Sequence, residues 1–161
     1  MQMASAIRAA LAESKTPFEA AAAAPAQTAN IDLDTDKLDQ AIGAKGKVTG
    51  GVYQFSVPRR DPVTENGMPV PPAMGTGTAI NFEPTGGGKA AIAGDFVVTA
   101  EELNPMIRAL RENGIEVAAI HSHMLEEKPR LFFVHFWAND DALKLANGLH
   151  AALDKMAVAR S

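Results

Sequence analysis

The 161-residue chain has no cysteine, which excludes disulfides and thiolate metal sites and leaves His, Asp, Glu and Met as its strong side-chain ligands. It also lacks any apolar run approaching the ~20 residues that carry a helix across a bilayer. The net charge of -4 is spread in mixed signs, with no basic block or stripe to follow a phosphate backbone, so the composition argues against a nucleic-acid partner. Two sequence motifs of catalysis are missing as well. There is no G-x-S-x-G elbow for a serine nucleophile. Gly86-Gly87-Gly88-Lys89 has Ala90 where a phosphate loop needs Ser or Thr to hold Mg²⁺, and it reads as a hairpin turn. The length suits one domain with an ordinary core.

The N-terminal residues 1–33 admit two readings. Ala24-Pro25-Ala26 has the small-x-small form of a signal-peptidase site, but Arg8, Glu13, Lys15 and Glu19 interrupt the stretch where a signal keeps a continuous apolar region. The alternative is an Ala-rich helix over Ala4–Glu13, with Ile7, Ala10 and Leu11 on one face, followed by an Ala/Pro linker. A degenerate signal places the protein in the periplasm or cell envelope, and a helix with a linker leaves it cytoplasmic.

A single domain is expected over residues 34–158. Thr35 can cap a short helix through Ile42, with Asp36 in its first turn and Gly43 as its stop. Lys47 to Pro58 reads as a strand, with Gly50-Gly51 suggesting a bulge. Arg59 to Gly77 is rich in Pro and Gly, lacks periodicity and reads as a loop. Strands follow at Thr78–Pro84 and Lys89–Val98, joined through Thr85-Gly86-Gly87-Gly88. Two helix starts then compete, a Thr99/Glu102 capping box and an Asn104-Pro105 cap; Asn113-Gly114 ends either helix. Asn139 reads as the cap of a final helix whose apolar stripe includes Leu145, Leu149 and Leu153. The order α-β-β-β-α-β-β-α predicts an α+β fold, an antiparallel sheet of about five strands with helices packed on one face.

Three of the four histidines fall in the stretch from His121 to His135, which reads as a hairpin. Side chains alternate with period two, so His121 and His123 share a face, and a turn centred near Lys128 sets His135 across from His121. Converging imidazoles suit a divalent transition metal such as Zn, Cu, Ni or Fe, and composition does not select among them. Glu127 is the candidate fourth ligand. Phe133 and Trp137 lie on the same face, and with Tyr53 they could offer stacking surfaces to a cell-wall or small-molecule ligand. The two arms of the hairpin present Ile120, Met124, Phe132, Val134 and Phe136 to the opposite face, toward the helices.

His121-x-His123 with Glu127, and His135 further on, are similar to the cupin metal motif, but the two parts stand too close together and two helices do not belong in a double-stranded barrel. A broader likeness runs through Asp32-Leu33-Asp34, Gly50-Gly51-Val52-Tyr53-Gln54-Phe55, Pro71-Pro72-Ala73-Met74-Gly75, Gly94-Asp95-Phe96, Asn113-Gly114-Ile115-Glu116-Val117, His121-Ser122-His123-Met124 and Phe133-Val134-His135-Phe136-Trp137-Ala138. Over residues 32–156 the chain resembles the bacterial LppY/LpqO family, a domain of unknown function with some members labelled lipoproteins or peptidoglycan-binding proteins. The resemblance implies a cell-envelope setting more than a reaction. Members often carry an ordinary signal peptide and sometimes two copies of the domain, and a single copy could restore a pair as a homodimer.

Overall fold

Glycines set the first hairpin. A computed structural model describes residues 2–14 and 31–159, and in it the expected strand over Lys47–Pro58 is two strands, β1 (Lys47–Thr49) and β2 (Val52–Pro58), paired antiparallel with Thr49 opposite Val52. Gly50 and Gly51 have φ of 59° and 88°. Two consecutive positive φ values make the two-residue connection that matches strand twist, so the Gly pair is a turn and not a bulge.

The remaining strands complete a six-stranded sheet. β5 (Gly77–Gly86), β6 (Lys89–Val98), β7 (Glu116–His121) and β9 (Phe132–Asp141) join the first two in the spatial order β1-β2-β5-β6-β9-β7, and every pairing is antiparallel. The expected α+β architecture is present, with one strand more than expected because β1 separates from β2.

Between these elements lies a second, three-stranded sheet in the order β4-β3-β8, made of β3 (Thr64–Glu65), β4 (Met68–Pro69) and β8 (Glu127–Lys128). It occupies part of the segment expected to be a plain loop. Asn66-Gly67, with φ of 50° and 78°, is the turn pair that folds β3 onto β4.

α2 (Thr35–Ile42), α3 (Ala100–Glu112) and α4 (Ala142–Leu153) cover one face of the large sheet. α2 is capped by Asp34, whose carboxylate accepts from Lys37 N–H, and Gly43 ends it in the left-handed conformation. α3 begins with the Thr99/Glu102 capping box, so Pro105 lies inside the helix. α4 is capped by Asp141 and not by Asn139, because β9 continues through Asn139 and Asp140 as Ala91 and Ala90 pair with them.

The core follows from strand alternation. Tyr53, Phe55, Ile80, Phe82, Ile92, Phe96, Val134 and Phe136 point to the helices and are buried against Met106, Leu110, Leu145 and Leu149. Ile120, expected on this side, sits on the edge strand and is 47% exposed. A smaller cluster of Val63, Val97, Leu131 and Phe133 lies apart from the main core, where the long loop folds over part of the other face. An N-terminal helix, α1 (Gln2–Glu13), buries none of its side chains. The Ala24-Pro25-Ala26 cleavage reading and the Ala/Pro linker fall at residues outside those described.

Candidate metal centre

Three adjacent strands bring three ligand-bearing side chains together on the face away from the helices. Asp95 on β6 stands directly opposite His135 on β9. On the other side of β9, His135 pairs with Ala119, and His121 pairs with Phe133. The expected placement of His135 straight across from His121 is therefore offset by two residues. Two is the period of side-chain alternation, so the offset keeps both imidazoles on one face and makes them diagonal neighbours.

The geometry is close. His121 Nε2 and His135 Nε2 are 2.7 Å apart, and the ring centroids are 4.8 Å apart. On its other side, His135 Nδ1 lies 2.8 Å from Asp95 Oδ1. Those ligand atoms all fall within 4.8 Å of one another. Asp95 Oδ1 is buried yet accepts no well-aligned hydrogen bond, so a carboxylate oxygen is held out of solvent beside two imidazoles and lacks a full partner. The Asp95 side chain is 27% exposed, so its charge is partly solvated while this one oxygen faces the imidazoles. With the Nδ1 proton of His135 on the Asp95 side, its Nε2 lone pair is turned toward His121, which is the tautomer a metal ligand needs.

Two imidazole nitrogens bound at about 2.0–2.1 Å to a tetrahedral ion stand roughly 3.3 Å apart. The observed 2.7 Å requires the rings to part by about half an ångström. Both side chains are half-buried at the sheet surface.

His123 does not join this contact. It follows the end of β7, stacks on His121 at a centroid distance of 5.0 Å and lies flat on Phe133 at 3.4 Å. Burial, with the neighbouring charge of His121 adding to it, holds its imidazole below the usual histidine range. Its Nδ1 also lies beside Gly75, where a Cβ would come within 3.7 Å, so the Pro/Gly segment reaches the edge of the site.

Glu127 is engaged elsewhere. The chain leaves β7 and forms β8 against β3, where Glu127 Oε1 accepts from Arg130 Nη1 at 3.2 Å and Leu131 N–H at 3.1 Å. The three stacking residues are not brought together either. Phe133 is fully buried under His123, and only Trp137 is open, at 49% exposure. Tyr53 occupies the helix side of β2, where its hydroxyl donates to Asp39 Oδ1 at 2.6 Å. Burial first, and Asp39 next, push that phenol up to about 12.

Asp95 escaped the sequence reading. Its local signal was a single carboxylate in the apolar strand KAAIAGDFVV. Gly94 beside it allows the close strand approach, since a Cβ there would meet the Ala79 carbonyl oxygen at 1.9 Å.

Fold and site together define a small α+β protein with a carboxylate and two imidazoles on an open sheet face. Residues 36–155 match the family described as Domain of Unknown Function (DUF1259), and the chain belongs to that family. No curated protein and no solved structure matches it.

Proposed function

We propose that this is a metal-binding protein of the cell envelope in which His121 and His135 ligate a divalent first-row transition metal, Zn, Cu, Ni or Fe. Asp95 either completes the ligand set or holds His135 in its ligating tautomer. The observation that supports this most directly is the 2.7 Å approach of the two Nε2 atoms with Asp95 Oδ1 2.8 Å from the other nitrogen of His135. Rotation of His123 off Phe133 would supply a further imidazole. Three protein ligands leave a position open on the exposed face, which suits metal carriage or metal-assisted chemistry. The envelope setting, the placement in the LppY/LpqO family and a homodimer formed through the sheet edge are parts of the same proposal and rest on the sequence resemblance.

Elemental analysis of the purified chain and of a His121→Ala/His135→Ala variant tests the site. The expected result is one equivalent of metal in the parent after Zn²⁺ or Cu²⁺ loading and none in the variant. A parent that rejects every added first-row metal would overturn the proposal.

A second reading, a non-catalytic binding module for a cell-wall or small-molecule ligand, is favoured by the exposed indole of Trp137 on the same face. Quenching of this single tryptophan by peptidoglycan fragments, undiminished in the double histidine variant, would favour it over the metal reading.

A further inference from the structure

Glu65 on β3 and Glu127 on β8 stand directly opposite each other in the small sheet. Residues facing across an antiparallel pair project from the same face with Cβ atoms about 4.5–5.5 Å apart. Their side chains therefore start as neighbours on one face of the small sheet. The Glu127 side chain is completely inaccessible to solvent. Its Oε1 is satisfied by Arg130 and the Leu131 N–H, while its Oε2 is buried with no hydrogen bond. Glu65 repeats the pattern, with Oε1 accepting from Asn66 Nδ2 at 3.4 Å and Oε2 buried without a partner.

The charges do not balance. Arg130 is the one cationic group within ion-pair distance of either glutamate among the described residues, and its guanidinium also donates to the Met124 and Leu125 carbonyls. Glu127 has one guanidinium beside it and Glu65 has none, which leaves a net negative charge and two orphaned carboxylate oxygens where the Glu127 side chain is closed to solvent and Glu65 is half-buried. Burying such charge is costly unless it is paired or coordinates a metal.

We propose that Glu65 and Glu127 form a second site, for a hard divalent cation of the Ca²⁺ class. Oxygen donors with no imidazole or sulfur select such an ion over the transition metals suited to the histidines, and backbone carbonyls or solvent complete its flexible shell. The site joins β3 to β8. It therefore ties the long Pro/Gly segment, whose Gly75 lies beside His123, to the segment that carries His123 itself. An ion bound here would clamp the two strips of chain that border the histidine face. The proposal stands independently of the metal reading for Asp95, His121 and His135.

Isothermal titration of the full chain with CaCl₂, and separately with MgCl₂, tests it. The expected result is a single Ca²⁺ site in the parent, weakened at least tenfold in Glu65→Gln and retained in His121→Ala/His135→Ala. Glu65 is less buried than Glu127, so Glu65→Gln carries the test, with circular dichroism to verify its fold; Glu127→Gln should weaken binding in parallel if it folds. Zn²⁺ binding by Glu65→Gln should match the parent. Three results would overturn the proposal: no Ca²⁺ or Mg²⁺ binding by the parent, binding unaffected by Glu65→Gln, or Ca²⁺ binding abolished by the histidine substitutions.

Discussion

Asp95 has the most to lose from one atom. Its Oδ1 is buried, 2.8 Å from His135 Nδ1, and has no hydrogen bond that satisfies it. Asp95→Asn keeps the shape and removes the charge. Whether the carboxylate touches the metal or orients His135, its loss should weaken Zn²⁺ binding by about 10–100-fold, the usual cost of removing an outer partner or more. Competition against a chromophoric chelator measures this, and an affinity equal to the parent's would take Asp95 out of the site. The metal-free variant should stay within about 0.5 kcal/mol of the parent in urea, since Asp95 is partly solvated and the amide keeps its shape.

At the scale of elements, the site depends on how closely β5, β6 and β9 pack. Gly94 faces Ile80 and Phe136 across its two neighbours, and a Cβ there would lie 1.9 Å from the Ala79 carbonyl oxygen and 3.0 Å from the Phe136 ring. Backbone cannot yield as a side chain can. Gly94→Ala should cost about 3 kcal/mol, the upper end of overpacking penalties, seen as a lower urea midpoint at unchanged slope. A change below about 0.5 kcal/mol would mean that the strands can separate freely.

The same elements show what could be read in advance. His121 and His135 were legible because alternation assigns each a face and a two-residue offset in register preserves it, although Lys128, expected at the centre of a turn, lies in β8 against β3. Asp95 was not, because it meets His135 through the pairing of β6 with β9, which no pattern within either strand announces. Gly50-Gly51 was seen but misassigned: a bulge and a two-residue turn call for the same residues, and only their φ values separate them. The strand that carries Glu127 was not legible for a different reason. It depends on pairing with β3, signalled only by Asn66-Gly67 inside a segment without periodicity. The overall α+β order was readable because helix caps and turn glycines are local, whereas the second sheet joins distant strands of two residues each.

At the scale of the whole molecule, Glu102 ties distant parts together. It opens α3 by accepting from Thr99 N–H, takes both terminal nitrogens of the buried Arg59 at the end of β2, and accepts from Ala157 N–H after α4. Arg59 in turn donates to the Val97 carbonyl on β6. Burial alone would raise the Glu102 carboxyl, but the bonds from Arg59, Thr99 and Ala157 together outweigh it and leave the group below its ordinary value of 4.5. A carboxyl depressed in the folded state binds its proton more readily when unfolded, so it stabilises the fold above the unfolded value and loses that contribution as pH falls through the folded one. Urea midpoints should therefore hold from pH 7 to about 5 and fall below it. Glu102→Gln, which leaves the buried Arg59 with only the exposed Asp61 carboxylate at 3.8 Å, should lower stability at pH 7 by about 3 kcal/mol and flatten the acid limb, because the substituted amide has no proton to gain. A variant curve parallel to the parent's from pH 5 to 3 would show that other carboxylates set the acid sensitivity and that the junction of β2, α3 and the C-terminal segment does not hinge on this charge.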